Sequence, residues 1–318
     1  MKKIFFICLL SSVAAQFVFA QTSNIIGTVK DEKGNPLHFV FVGNVNEKIA
    51  AYTDSMGNFN LAVAPGTKLE FDLRGYEGTS LTINKADDSP QVTLKSISTG
   101  VSNNSVSTIK RDTTFQRPNN VYLDRLPGHE KGKTKGNRYL LDIFAHGIFV
   151  NSQGSLVYNR DYLFDYDKIG GGLLLTKDGK SILELSFDQT QSFTLYSSTD
   201  DVYVFEKVPS VDVSHYLQVL SAGKNYKIYK LIKTTFKKSD YVNAGMIQRG
   251  NDYDEYTDDA DYYAFDIHGN QMKKFTLKKK SIKEGFVKDG DKVNKFLSDN
   301  SGEINDAYLS KLGDYMNQ

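Results

Sequence analysis

The sequence has 318 residues, and its 39 Lys and Arg against 38 Asp and Glu give a formal net charge of +1 at pH 7. This near-neutrality argues against nucleic acid or an anionic membrane as the partner. The content of 20 Phe and 19 Tyr with only 6 Pro is typical of a strand-rich globular protein and excludes a largely disordered chain.

Residues 1–20 have the pattern of an export signal peptide. Two lysines precede an apolar run, and Val18 and Ala20 occupy the −3 and −1 positions of a cleavage site. This run, like every later one, is shorter than the ~20 apolar residues of a spanning helix, so no transmembrane segment is expected in the mature chain. Cleavage would remove Cys8, the one cysteine, and with it any disulfide. We expect an exported protein, either periplasmic or associated with the outer membrane or cell surface.

Residues 24–95 consist of short strand-like runs bounded by Gly, Asn, Asp or Pro. The runs are four to eight residues long and rich in β-branched and aromatic types. In "KLEFDLR", Leu69, Phe71 and Leu73 alternate with charged residues, which places the apolar side chains on one face. Seven such runs predict a small antiparallel β-sandwich.

Three nearly identical pentapeptides are "DEKGN" (31–35), "DSMGN" (54–58) and "DIHGN" (266–270). Asp at the first position and Gly at the fourth are typical of a type I turn followed by a left-handed glycine, in which the carboxylate accepts a backbone N–H. A calcium loop would need an oxygen ligand at the third position, which Lys33, Met56 and His268 occupy instead. We therefore expect one hairpin turn used three times.

The 24–95 segment also carries a motif set, G-x-V-x-D-x-x-G-x-P-L, then T-D-x-x-G-x-F, then G-Y-E. The matching residues are Gly27, Val29, Asp31, Gly34, Pro36, Leu37, Thr53, Asp54, Gly57, Phe59, Gly75, Tyr76 and Glu77. This set resembles the carboxypeptidase-regulatory-like domain, a transthyretin-like sandwich. In that family the domain is non-catalytic and occurs beside carboxypeptidases and at the start of TonB-dependent outer-membrane transporters. The resemblance implies an extracytoplasmic accessory role.

Residues 96–137 differ in composition from the segments on either side. "SISTGVSNNSVST" is polar and low in complexity, and "RLPGHEKGKTKG" is rich in Gly and Lys. Such segments bury too little apolar surface to offset the entropy lost on ordering. We predict a flexible linker here.

Residues 138–318 return to strand-like runs and include hairpins around "AGKN" and "HGN". The chain is predicted to end in two helices, the first with Val293, Phe296 and Leu297 on one face. The second has Ser301 as its N-cap and an apolar stripe of Ile304, Tyr308, Leu312, Tyr315 and Met316. A "YLQVLxxGK...LxK" hairpin and a Lys-rich strand before terminal helices resemble uncharacterised bacterial envelope proteins, which implies no activity. The predicted fold is therefore mostly β: an N-terminal sandwich, a linker and an antiparallel β domain with C-terminal helices.

Catalytic motifs are all incomplete. "GHEKGK" (128–133) begins like a zinc-protease helix but has Lys133 in place of the second histidine. The glycines of "KIGGGLLLTKDG" (168–179) favour a strand between turns over a phosphate loop. The histidines His38, His129, His146, His215 and His268 are isolated in sequence and are interpreted as strand or turn residues. A Ser-His-Asp set or a carboxylate pair assembled in space stays open. No catalytic, cofactor-binding or metal-binding residue, and no cofactor, is predicted.

The segment "NDYDEYTDDADYY" has an unusually acidic composition, with Asp252, Asp254, Glu255, Asp258, Asp259 and Asp261 within ten positions. Calcium takes several oxygen ligands, so a cation site is one interpretation, although the glycine of the twelve-residue loop is missing. The favoured interpretation places the carboxylates across from the lysines of "KKFTLKKKSIK" in a meander, where they serve register and solubility.

These observations favour a non-catalytic exported envelope protein that acts as a binding or scaffolding module through its β domains. An accessory subunit of an outer-membrane transport or surface assembly is the alternative, and a hydrolase is the third possibility. The expected partner is an envelope protein or a glycan, bound by strand pairing at a sheet edge and by tyrosine contacts.

Overall fold

The computed structural model describes residues 22–85, 89–97, 134–244 and 247–318. The predicted signal peptide 1–20, the central part of the predicted linker and the "GHEKGK" motif lie outside these residues. The described chain is mostly β, with several sheets and three short C-terminal helices, so the predicted fold class is confirmed. None of the helices in this part of the chain combines the length and apolar character that a membrane span needs.

The N-terminal unit, which we call the sandwich, contains seven strands in the part that the structure describes. They are β1 (Ser23–Asp31), β2 (Phe41–Asn44), β3 (Ile49–Tyr52), β4 (Asn58–Val63), β5 (Lys68–Asp72), β6 (Thr79–Thr82) and β7 (Gln91–Leu94). One sheet has the order β4-β1-β7 and the other β3-β2-β5-β6. The alternation in β5 buries Leu69 and Phe71 in the core between the sheets, as predicted. One pairing is not antiparallel, because β7 crosses from the sheet of β6 and lies parallel to β1.

Two of the three repeated pentapeptides form the predicted turn. Gly34 and Gly57 have φ values of 84° and 75°, and the carboxylates of Asp31 and Asp54 accept the following backbone N–H groups. The prediction is wrong for the third pentapeptide, where Asn270, with φ 47°, takes the left-handed conformation. Its flanking strands pair at Asp266 and Gln271, so the loop has four residues instead of three and the left-handed position moves by one.

The C-terminal unit, which we call the large-sheet unit, contains thirteen strands among its described residues. They are β8 (His146–Asn151), β9 (Leu156–Val157), β10 (Leu163–Tyr166), β11 (Leu173–Thr176), β12 (Ile182–Leu185), β13 (Thr190–Tyr196), β14 (Val202–Lys207), β15 (Tyr216–Ala222), β16 (Tyr226–Lys237), β17 (Val242–Ala244), β18 (Ile247–Arg249), β19 (Glu255–Asp266) and β20 (Gln271–Phe275). The large sheet has the order β20-β19-β16-β15-β14-β13-β8-β9 and is antiparallel throughout. Strands β10-β11-β12 form a three-stranded sheet, and β17-β18 form a separate hairpin.

Three helices close the unit, where two were predicted: α1 (Lys279–Gly285), α2 (Gly290–Asp299) and α3 (Asp306–Asn317). Helix α1 occupies part of the segment predicted as a Lys-rich strand, because β20 ends at Phe275 and Ile282 is buried on one helical face. The predicted N-cap Ser301 is wrong. Asn305 caps α3 instead, and its side-chain oxygen accepts the N–H of Tyr308 at 3.0 Å.

Backbone hydrogen bonds are present at both ends of the predicted linker. The N–H of Ile97 donates to the carbonyl oxygen of Gly75 at 2.9 Å, and that of Lys135 donates to Asp254 at 2.9 Å. Gly136 has φ 69°, and a Cβ there would lie 2.1 Å from the carbonyl oxygen of Tyr256, so only glycine permits this approach. Residues 97 and 135 thus contact the units on either side, and the linker over 96–137 stays a prediction.

Candidate functional site

One row of residues across the large sheet changes from aromatic to polar and back. The strand register places Phe205, Gln218, Lys230, Tyr262 and Phe275 in line on β14, β15, β16, β19 and β20. Phe205 belongs to the core under the three-stranded sheet β10-β11-β12. Tyr262 and Phe275 belong to the core under the helices. Directly paired residues lie on the same face of a sheet. Gln218 and Lys230 therefore lie in the gap between the two covering layers.

This gap, which we call the central groove, has a volume of about 690 Å³. The wall beside the sheet β10-β11-β12 is formed by Leu140 and Lys168. The wall on the helical side is formed by Thr276, Leu277 and Asp306. The volume lies within the range of roughly 300 to 1,000 Å³ that is typical of small-molecule sites. The groove is therefore large enough for a short peptide stretch or a sugar unit.

Ion pairs fix the charged side chains of the central groove. Lys168 Nζ lies 2.6 Å from Asp258 Oδ2, and Lys230 Nζ lies 2.6 Å from Asp306 Oδ2. Tyr262 donates its hydroxyl to the other oxygen of Asp306 at 2.9 Å, and burial together with this carboxylate raises the pKa of the phenol. The polar atoms are thus held in place before any ligand binds.

A buried salt bridge positions the wall that carries Lys168. The Nε and Nη2 atoms of Arg138 donate to the two oxygens of Asp167 at 3.0 and 2.9 Å, and the Asp167 side chain is fully buried. Burial acts to raise the pKa of Asp167, but the bonds from Arg138 and from the amides of Gly170 and Ile169 outweigh it, so the pKa is lowered. The carboxylate therefore stays ionised and fixes the turn before β11.

The glycine-rich segment 168–179 forms a turn followed by β11, as predicted, and no helix follows its glycines. Gly171 has φ 72°, and a Cβ there would lie 2.1 Å from the carbonyl oxygen of Ser214. The glycine is thus required by close backbone packing between two loops of the same unit.

The acidic segment is only partly arranged as predicted. Asp261 contacts Lys274 of the Lys-rich segment at 2.8 Å, but it also contacts Lys233 of β16. Asp258 instead contacts the groove lysine Lys168. The side chain of Asp254 accepts the backbone N–H of Ser239. The prediction placed too many carboxylates opposite one strand, because β19 pairs along its whole length with β16 and only at its end with β20. Among the described residues, no cluster of three or more potential metal ligands is found.

The two units meet at an aromatic interface, which we call the junction. Phe39, Phe41 and Tyr52 of the sandwich form one buried cluster with Ile148 and Leu156 of the large-sheet unit. The ring of Phe41 also stacks on Tyr158 across the junction, with a centroid distance of 3.7 Å. The hydroxyl of Tyr158 donates to Asp72 of the sandwich at 2.8 Å. Apolar and polar contacts therefore both join the units.

Asp200 adds a polar clamp at the edge of the junction. It accepts the Ser55 N–H at 2.9 Å and the Ser55 hydroxyl at 2.6 Å, and its Oδ1 lies 3.1 Å from His38 Nε2. Asp200 has φ 64° and occupies the position that Gly57 has in the equivalent five-residue turn. A left-handed non-glycine residue costs roughly 1 kcal/mol or more, and here the strained residue supplies the contact between the units.

The Asp200→Gly variant should relax this turn and release Ser55. We expect hydrogen exchange of the Ser55 amide to accelerate by roughly tenfold or more, since a hydrogen bond to a charged group is worth about 1.5–3 kcal/mol before solvent screening. The matched control is Asp201→Asn, because Asp201 accepts from Thr199 within its own turn. Unchanged exchange of the Ser55 amide in Asp200→Gly would show that the clamp does not hold the sandwich.

Two of the isolated histidines come together at the junction. The ring of Phe39 stacks on His38 at 3.6 Å and lies 4.4 Å from the ring of His146. Phe39 itself has φ 60°, a strained conformation for a bulky residue. Burial lowers the pKa of His146 to about 4, with a further contribution from His38. Sequence spacing gave no indication of this arrangement.

His215 forms a Ser-His-Asp cluster that is not a catalytic triad. Ser214 Oγ and Asp212 Oδ1 both lie against Nδ1, at 3.0 and 3.1 Å, and Nε2 lies 3.1 Å from the carbonyl oxygen of Ile169. A triad needs the serine and the carboxylate on opposite ring nitrogens. His268 is exposed and lies 3.3 Å from an Asn225 side-chain oxygen, and His129 lies outside the described residues.

Sequence reasoning missed the groove residues Lys168, Lys230 and Asp306, which come from three distant segments. One signal was present in β16, where Tyr226, Ile228, Lys230 and Ile232 alternate on one face. A lysine within an otherwise apolar alternation indicates a gap in the core or a buried partner.

No family model matches the chain, and a search of curated proteins finds no match. The resemblance to the carboxypeptidase-regulatory-like domain therefore stays a prediction. Among solved structures, a Streptococcal ancillary pilin is 10% identical over 73% of this chain and 59% of its own, with a TM-score of 0.19. The Bacillus anthracis TIE protein is 10% identical over 81% of this chain and 49% of its own, with a TM-score of 0.21. The major pilin subunit of Bacillus cereus is 8% identical over 81% of this chain and 93% of its own, with a TM-score of 0.19. The chain thus spans less than two thirds of the first two proteins, and TM-scores this low do not bear on its fold or function.

Proposed function

We propose that this chain is a non-catalytic exported protein of the cell envelope that binds a partner in its central groove and acts as a scaffold. The observation that carries the proposal is the polar break in the row from Phe205 to Phe275. Inward positions of a packed sheet are normally apolar, and a polar pair between two aromatic cores leaves an accessible floor. The partner class is an envelope polypeptide or a glycan.

The chemistry of the groove supports binding over catalysis. Both groove lysines are paired with carboxylates at 2.6 Å, and general base or nucleophilic catalysis needs a reactive group within reach of the substrate. Fixed pairs of donors and acceptors instead suit a polar, uncharged ligand, for which their orientation costs no further side-chain entropy. The family resemblance of the sandwich, which implies a non-catalytic accessory role, points in the same direction.

A pair of tryptophan variants tests the proposal, because Gln218 lies on the groove floor and Thr235 lies on the opposite face of the same sheet. Gln218→Trp should fill the groove and reduce cross-linked capture of the partner from envelopes, or binding on a glycan array, by ~10-fold or more. Thr235→Trp should leave both unchanged. Circular dichroism of each variant checks that the strands are intact.

The same proteins should be passed through a peptidase, esterase and glycosidase screen. Turnover that is lost in Gln218→Trp and kept in Thr235→Trp would make the groove an active site and refute the proposal. Capture that is equal in both variants would place binding elsewhere on the molecule. A captured outer-membrane transporter would identify the role as that of an accessory subunit.

A further inference from the structure

The junction contains a buried imidazole whose protonated form the surrounding residues do not stabilise. The Nδ1 atom of His146 is buried and has no hydrogen-bond partner among the described residues. The ring lies against Phe39 at 4.4 Å and Tyr52 at 5.3 Å, both from the sandwich. An ionised group in such a place loses its hydration without gaining a bond.

We propose that the junction is an acid-sensitive latch, in which protonation of His146 releases the sandwich from the large-sheet unit. The released sandwich would expose Phe39, Phe41 and Tyr52, an aromatic surface that the closed form buries. This device goes beyond the proposed function and does not depend on what the groove binds.

The groups around His146 differ in how they respond to its charge. From the sandwich, the nearest titratable groups are His38 and Tyr52, and a protonated His38 repels a protonated His146. On its own sheet, His146 pairs directly with Tyr196. The ring thus faces two phenols and a second imidazole.

The junction carboxylates compensate other groups. Asp200 contacts the imidazole of His38. Asp72 accepts the hydroxyl of Tyr158, and its Oδ1 lies 2.8 Å from Nη1 of Arg160. Burial lowers the pKa of His38, whereas Asp200 and Asp54 oppose that shift. Among the described residues, no carboxylate opposes the shift at His146, so the closed junction resists protonation of His146 more strongly than that of His38.

The sign of the effect follows from the two states. His146 has a pKa of about 4 in the closed junction and regains its ordinary value of 6.5 when it is exposed. The open form therefore binds the proton more tightly, and the stability of the closed form is complete above pH 6.5 and is lost as the pH falls towards 4. Between about pH 7.5 and about pH 5, these two values increase the opening constant ~30-fold.

A contact probe can measure this opening in the full mature chain. The sequence contains no tryptophan, and its one cysteine lies in the signal peptide. Met56, beside Ser55, and Val202, near Asp200, are both exposed, at 66% and 53%. A bimane label on Met56→Cys is therefore expected to be quenched by Val202→Trp only while the junction is closed. Urea titrations at the two pH values, followed by bimane fluorescence and by circular dichroism, give the opening constant separately from unfolding.

We expect the opening constant to rise ~30-fold more in the parent chain than in His146→Phe, which packs among the rings without titrating. His146→Gln, which keeps a neutral polar group, should match His146→Phe, so that misfolding of one variant does not decide the result. His268→Gln is the control with an exposed histidine removed and should keep the full response. An equal response in the parent and both His146 variants would overturn the latch. Loss of the strand signal together with the contact would also overturn it, since it would show unfolding of a unit.

Discussion

The Asp167→Asn variant should lower the free energy of unfolding by about 3–5 kcal/mol, the usual cost of breaking a buried ion pair by removing one partner. Asparagine preserves the size of the side chain, but it leaves the guanidinium of Arg138 largely buried without a counter-charge. It also weakens the acceptor for the amides of Ile169 and Gly170, which shape the turn next to Lys168. Urea unfolding followed by circular dichroism measures the change.

The exposed Asp188, on the turn before β13, provides the matched control. Asp188→Asn makes the same chemical change without a buried partner and should alter stability by less than about 0.5 kcal/mol. A loss below 1 kcal/mol in Asp167→Asn would show that the Arg138 pair contributes little, as many exposed pairs do, and would remove the stated reason for the rigidity of this groove wall.

The Tyr52→Ala variant should cost about 3–5 kcal/mol, the range for truncating a buried aromatic residue. Tyr52 is 6% exposed and contacts the rings of Phe41, His146, Tyr158 and Tyr196. The cavity would lie between the two units, because three of these rings belong to the large-sheet unit. Calorimetry is the measurement of choice, since a weakened junction should split one unfolding transition into two.

Phe236→Ala tests whether any aromatic truncation has this effect. Phe236 is 45% exposed and contacts the ring of Tyr256 at 4.8 Å, far along β16 from the helices. Its loss should cost less than about 1 kcal/mol and leave a single transition. If Tyr52→Ala unfolds in one transition at an unchanged temperature, the junction does not couple the units.

The sequence was informative where one local pattern decides the structure. The alternation of Leu69 and Phe71 with charged residues suffices to assign β5 and its buried face. The Asp and Gly of the first two pentapeptides suffice to assign their turns. Helix α1 was missed because β20 and α1 share one Lys-rich segment, in which the lysines remain in solvent in either conformation. Only the burial of Ile282 against the other helices favours the helix.

The groove and the junction depend on contacts between distant segments. Lys230 and Asp306 are separated by 76 positions, and Ser55 and Asp200 by 145. No local preference links such pairs, because their meeting is set by strand order and register. The same holds for His38 and His146, whose rings both contact Phe39 only because the fold brings the two segments together.

The chain order of the large sheet has a consequence for the way the protein assembles. From β14 to β16 each strand pairs with its immediate predecessor, and β19 and β20 continue the series after one inserted hairpin. Such a sheet can grow by successive closure of short loops, each with a small entropic cost. The sandwich instead depends on β1 meeting β4 and β7, and the junction depends on segments from both units. In the proposed export, the part of the chain that emerges last would therefore have the simplest route to its native topology, and the union of the two halves would be the last step.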